Sequence, residues 1–222
     1  MGILDNDERE ISLTPEFIEK SDKDLLTIKS LDKFASQTGN ILVISSGYAT
    51  EALCGGDITR AHGDVDAHII LTGLKSTEKL FSGVKAIISK EDTKWKLRNR
   101  TPEKFEFIAD YKNKDFFAKR RLEVYLNSPH EYNIKYPERK LINSKGEEIV
   151  VSVVDLDEMV LQKIHKFYIL KDGVDTSKDR HSSISDFFDL KRLLESRELD
   201  KEKIREKAAK EFDYVTYLMN EY

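Results

Sequence analysis

The sequence predicts an α+β fold, with a mixed and mostly central β-sheet first, flanked by helices, and a helical tail last. Three observations predict it. Short apolar runs bounded by glycine and small polar residues, such as Ile41-Leu42-Val43-Ile44, are confined to the first 154 residues. Two pairs of β-rich runs in the same stretch are joined by polar turns and read as hairpins. From Asp155 onward, capping residues and helical spacing replace alternation. The expected organisation is a core over residues 1–154 and a helical C-terminal subdomain over 155–222.

In order along the chain, Thr14-Pro15 reads as an N-cap followed by a first-turn proline. Leu25, Leu26, Ile28, Leu31, Phe34 and Ala35 recur at helical spacing, and Gly39 supplies the stop. Ile41–Ile44 is brief, continuous and β-branched, as expected of a strand buried on both faces. A short helix through Ala49, Ala52 and Leu53 ends at Gly55-Gly56, and a strand runs from Asp64 to Leu71. Residues 76–89 read as helical at first and then extended from Val84 to Ile88. The first hairpin joins Phe105–Tyr111 to Phe116–Leu126 across Lys112-Asn113-Lys114, and the second joins Leu141-Ile142 to Ile149–Val154. Asp155 and Glu158 have the spacing of a capping box, with helix to about Leu170, a polar loop from Lys171 to Ser182, and two more helices over 184–196 and 200–221.

The chain carries 37 Lys+Arg against 41 Asp+Glu over 222 residues, a formal charge of −4, so a dedicated duplex-DNA binder is disfavoured while tRNA or a nucleotide stays open. No apolar window is long enough for a membrane helix. MGILDNDERE lacks the basic and apolar regions of a secretory leader. Cys54 is the lone cysteine, which excludes an internal disulfide and any multi-cysteine zinc site. These features predict a reduced, cytoplasmic, soluble protein.

Three features carry chemistry. Ser45-Ser46-Gly47 lies between a buried strand and a helix, where glycine permits close approach and the helix N-terminus offers N–H groups to an anion. Asp64 and Asp66 flank Val65, so on a strand their side chains and that of His68 share one face while Val65, Ala67 and Ile69 take the other. Two carboxylates about 7 Å apart on one strand can converge on a hard cation such as Mg²⁺. Glu123, on a later strand with Leu122, Val124 and Leu126 facing away, would add a third carboxylate and a general base. Glu106 and Asp110 share a face on the preceding strand and compete for that role. Trp95, Phe105 and Phe107 are candidates for an acceptor pocket, against a plain core role.

The stretch from Ser46 to Asp66, with Gly47, Ala49, Gly56, Thr59, Arg60, His62, Asp64 and Asp66, resembles the nucleotidyltransferase signature. It is most similar to the lincosamide and aminoglycoside nucleotidyltransferase branch, with the toxins of abortive-infection systems next. Ser46, Tyr48 and Asp57 depart from that branch's glycine, tryptophan and arginine. The resemblance implies that Ser46 and Gly47 hold a nucleoside triphosphate, ATP before the others, and that Asp64 and Asp66 bind Mg²⁺. It places Glu123 where the family has a third carboxylate, usually aspartate. Arg60 would meet a phosphate or form a structural salt bridge, and His62 would orient the loop or touch substrate. Lys163 and Lys166, three apart on the capped helix, match helical lysines that reach the triphosphate in related enzymes. Lys178-Asp179-Arg180 with Asp186 and Asp189-Leu190 is similar to the tail pattern of these families. The implied reaction moves a nucleoside monophosphate, AMP above all, onto a hydroxyl of a small antibiotic, with tRNA or protein as the alternative acceptor and a non-catalytic nucleotide-binding relative as the runner-up.

Overall fold

The computed structural model describes residues 14–110, 119–128, 136–170 and 180–221. It divides into two compact units, one spanning Ile11–Val154 and a second containing Asp155–Tyr222.

The first unit is built on a sheet of seven strands. Helix α1 (Pro15–Gln37) begins where the Thr14 hydroxyl accepts the amide N–H of Phe17 at 3.4 Å. It ends at Thr38, after which Gly39 takes φ +70°, a left-handed value that favours glycine. Strand β1 (Ile41–Ser45) runs directly into α2 (Ser46–Leu53). Gly55 and Gly56 then turn the chain with φ of +116° and +95°, and β2 (Asp64–Ile70) follows. Helix α3 (Thr77–Ile88) precedes β3 (Trp95–Arg100), β4 (Lys104–Asp110) and β5 (Lys119–Asn127). The hairpin of β6 (Glu138–Ile142) and β7 (Glu148–Val153) completes the unit.

The strand order is β3-β4-β5-β2-β1-β7-β6. β2 is antiparallel to β1 and parallel to β5, and β1 is parallel to β7, so the sheet is mixed. One face carries Leu42, Ile44, Val65, Ala67, Ile69, Leu122 and Val124, all buried. That face meets Leu25, Ile28 and Leu31 of α1 and Leu80, Val84 and Ile88 of α3, which are equally buried and recur at helical spacing. The hydroxyl and carboxylate side chains lie on the other face.

Three expectations are corrected here. Val84–Ile88 is the end of α3, because Leu80, Val84 and Ile88 sit one turn apart and bury a single stripe. Strand β3 forms where no strand was predicted; its residues after Trp95 are exposed and carry no apolar alternation. Of the two readings open for the aromatics, the core role holds for Phe105 and Phe107, their rings against Phe81 at 5.2 and 6.0 Å, while Trp95 donates its indole N–H to Glu91 at 3.1 Å. The predicted helix over 200–221 breaks at Ala208 into α6 (Lys201–Lys207) and α7 (Ala209–Glu221). The first-hairpin residues Tyr111–Phe116 lie outside the described residues, and its two strands pair antiparallel from Lys104↔Tyr125 to Asp110↔Lys119.

The second unit holds α4 (Leu156–Leu170), α5 (Arg180–Leu194), α6 and α7 around Val160, Ile164, Leu190, Leu193, Ile204 and Val215. Asp155 caps α4, its carboxylate accepting the amide of Asp157 at 3.1 Å, while Glu158 pairs forward with Gln162 instead of closing a box. Among the described residues, no helix is long and apolar enough to cross a membrane.

Candidate active site

The polar face of the sheet brings the predicted carboxylates together through strand register. Asp66 lies directly opposite Ser45 of β1 on one side and Glu123 of β5 on the other. Glu123 in turn faces Glu106 of β4, one strand further out. Directly paired residues project to the same side of a sheet, so Ser45, Asp66, Glu123 and Glu106 form one row. Asp64 stands on the same face of β2 beside Arg121. Of the three candidates for the third carboxylate, Glu123 is the one adjoining Asp66; the side chain of Asp110 lies outside the described residues.

The electrostatics of the row are uneven. Burial and the neighbouring Asp64 and Glu123 carboxylates push the Asp66 carboxyl up to about 8, against the pull of a hydrogen bond with the Ser46 hydroxyl and of the Lys104 charge. Asp64 is also raised, first by burial and then by Glu123, while Arg121, Lys20 and Arg60 act in the opposite direction. Glu123 goes the other way. Burial would raise it, but Lys104 Nζ and the Tyr125 hydroxyl both donate to its Oε2 at 2.5 Å and hold it below the usual carboxylate range. Arg98 donates to Glu106 at 2.9 Å, and Arg121 lies 3.8 Å from Glu106 and 3.9 Å from Glu123.

Half-buried, adjacent carboxylates lacking full compensation suit a hard divalent cation, and the donors are all oxygens. Asp64 and Asp66 are therefore the residues that fit Mg²⁺. Among the described residues, no three His, Cys, Asp or Glu side chains are already gathered around one metal-sized point. Glu123 is instead engaged by Lys104 and Tyr125.

The loop that feeds this face is built from buried polar contacts. Ser46 opens α2 at φ +58°, the left-handed region that favours glycine, and thereby sets its hydroxyl against Asp66. His62 is 2% exposed and its Nε2 meets Glu51 Oε1 at 3.0 Å, while Thr59 donates to both Glu51 oxygens at 3.2 and 3.0 Å. His62 thus orients the loop from within. Arg60 is buried, donating to the Ala61 carbonyl at 2.8 Å. A Cβ at Gly47 would come within 2.3 Å of His62 Nδ1 and 3.2 Å of an Arg60 nitrogen, so only glycine fits beneath them. Gly47→Ala is expected to displace His62, lowering stability by about 1–3 kcal/mol. Thermal unfolding with and without nucleotide measures this, and the nucleotide-induced shift should shrink along with the baseline.

Residues on this face that the sequence does not single out are Lys104, Tyr125 and Asn127, the last accepting at 2.9 Å from His68 Nδ1, whose Nε2 meets Ser45 Oγ at 3.0 Å. Period-two spacing carries a signal for Lys104 and Tyr125, which are two residues from Glu106 and Glu123.

Lys163 and Lys166 belong to the helical unit. Lys163 is buried and donates to Asp186 at 2.9 Å and Asp189 at 3.0 Å, and Lys166 also pairs with Asp186. The two lysines thus meet the Asp186 and Asp189 end of the tail pattern. Lys178, Asp179 and the side chains of Arg180 and His181 lie outside the described residues.

Residues 52–216 match the family model described as "Nucleotidyl transferase AbiEii toxin, Type IV TA system". Among solved structures, the antibiotic-resistance factor ANT(2'')-Ia is similar at 13% identity over 90% of this chain and 92% of that one, with a TM-score of 0.45. An antigenic nucleotidyltransferase-like protein from Paracoccidioides brasiliensis is similar at 14% identity over 88% and 93%, with a TM-score of 0.49. No curated protein matches the sequence. Because the family match spans both the carboxylate strands and the helical unit, the chain belongs to the AbiEii nucleotidyl transferase family and is an enzyme of nucleoside monophosphate transfer.

Proposed function

We propose that the protein transfers a nucleoside monophosphate from an NTP, ATP foremost, to a hydroxyl of an RNA acceptor, with Asp64 and Asp66 holding Mg²⁺. The observation that carries the reading is the row of Asp66 and Glu123 beside Asp64, next to the Ser46–Gly47 turn. Mg²⁺ held by the two aspartates supplies positive charge that neutralises the triphosphate and the developing transition state. Ser46 and Gly47 leave room for phosphate at the start of α2, whose free N–H groups favour an anion. Arg60 stands beside Gly47 as a further cation. Glu123, kept ionised by Lys104 and Tyr125, accepts the proton of the attacking hydroxyl. The acceptor oxygen bonds to the α-phosphorus as the bond to pyrophosphate breaks.

The basic border favours an anionic acceptor. Arg98, Lys104 and Arg121 adjoin the carboxylates, and exposed Lys96 and Arg98 lie on the edge strand β3. At the carboxylates Arg98, Lys104 and Arg121 are taken up in ion pairs with Glu106 and Glu123, so what supports an RNA backbone is the exposed positive charge of the β3 edge. The similarity of the Gly47–Asp66 motif to the antibiotic branch is what supports a small hydroxylated acceptor as the second reading.

Incubation with α-³²P-labelled NTPs, Mg²⁺ and either bulk tRNA or an aminoglycoside panel tests this. Label is expected in RNA, losing efficiency steeply with added salt, and absent with Asp64→Asn. Label in an aminoglycoside alone would replace the RNA reading with the second one.

A further inference from the structure

Outside the carboxylate face, the first unit contains a hub of buried charge. Asp24 of α1 accepts from Lys20 Nζ at 2.9 Å, from the Tyr48 hydroxyl at 2.9 Å and from Arg120 Nε at 2.7 Å. Arg120, fully buried on β5, also donates to Glu91 at 2.5 Å and to Thr27 at 2.8 Å. Such clusters are costly to bury, and well-packed apolar residues often serve stability equally well. Two contacts run from the hub to His62: Lys20 Nζ donates to its backbone carbonyl at 2.5 Å, and the Tyr48 ring lies 4.5 Å from its imidazole, a contact that phenylalanine would keep.

That carbonyl lies two residues before Asp64, in a segment of no regular secondary structure. Side chains supply much of what fixes the segment, with Glu51 on the His62 ring and Arg60 on the Ala61 carbonyl. Lys20 itself is on α1, ahead of the residues matched by the family model. We propose that Lys20 is a positioning residue for the metal-binding strand, its buried ammonium holding the His62 carbonyl and so fixing where Asp64 leaves the loop.

This inference rests on the nucleotidyl-transfer reading, and its test separates the two. Lys20→Met keeps the length and removes the donor; Lys20→Gln substitutes for it if the methionine variant does not fold. Tyr48→Phe removes a different donor from Asp24 and leaves the Lys20–His62 bond in place. A displaced reacting group costs about 10-fold to 100-fold, so kcat should fall by that factor in Lys20→Met with the KM for NTP nearly unchanged. Amide hydrogen exchange over 59–66 should rise in that variant while exchange in β4 and β5 stays as in the wild type. Tyr48→Phe should lose stability and keep kcat. Wild-type kcat with wild-type exchange in Lys20→Met would overturn the proposal, as would a kcat loss in Tyr48→Phe that tracks its stability. A wild-type protein that transfers nothing would defeat the catalytic reading, and the exchange comparison would still decide whether Lys20 holds the loop.

Discussion

Asp66→Asn is expected to eliminate nucleotidyl transfer, by about 10³-fold or more, and at the same time to make the metal-free protein more stable at pH 8. The two effects have one source. In the metal-free fold, the Asp66 carboxyl titrates near 8, because it is half-buried beside Asp64 and Glu123, whereas in the unfolded chain it titrates near 3.8. The folded state therefore binds this proton more tightly than the unfolded state. Its contribution to stability is full below the unfolded value and is lost as pH rises through the folded one. Wild-type protein in EDTA should thus lose stability between about pH 4 and pH 8, and Asp66→Asn should flatten that slope. Saturating Mg²⁺ should restore the wild type and leave the variant unmoved. Denaturation midpoints from pH 5 to 9, with EDTA and with Mg²⁺, measure all of this. A variant that is active, or one whose midpoint keeps the wild-type slope, contradicts the assignment.

The largest loss of stability is expected at Arg120→Met. Its guanidinium is 0% exposed and serves Asp24, Glu91, Thr27 and, at 3.3 Å, Thr93, while stacking over Trp95 at 4.8 Å. Breaking a buried ion pair from one side is costly, and because Asp24 keeps Lys20 and Tyr48 the loss is expected at the lower end, about 3 kcal/mol. For a chain of this size each kcal/mol lowers Tm by about 2–4 °C. The surface pair Lys23–Glu19, with side chains 36% and 45% exposed, offers the contrast, and its loss should be worth about 0.5 kcal/mol or less. Thermal melts of both variants decide the matter, and equal small effects would mean the buried hub is no more than another surface pair.

Which parts of this molecule could be read in advance follows from the range of the interactions involved. The Asp64/Asp66 face was legible because alternation is a local property, and β2 buries Val65, Ala67 and Ile69 as its spacing requires. The neighbour relation of Asp66 and Glu123 was not, since it depends on a parallel pairing of β2 with β5 across the intervening helix and two strands. Strand β3 gave no signal: as an exposed edge it needs no apolar face, and Lys96, Arg98 and Arg100 look like any solvated run. The extended character attributed to Val84–Ile88 came from β-branching, which the four-residue spacing of the buried stripe overrides. Lys20 is the extreme case. Its i,i+4 spacing to Asp24 resembles an ordinary surface pair, and only the folded chain brings it to a carbonyl 42 residues away.

The position of β1 has a consequence for how the chain reaches this state. β1 pairs with β2, its near neighbour in sequence, and with β7, where Val43 meets Ser152. The first pairing is quick to find, and the second must wait for nearly the whole sheet unit to be synthesised. Ser45, Asp66 and Glu123 need only β1, β2 and β5 to stand in line. A chain emerging from the ribosome can therefore align its reactive row while the Ile41–Ser45 edge still lacks its second partner. Until β7 arrives, that apolar edge is where nascent chains would adhere to one another, and slow refolding at high concentration should fail there first.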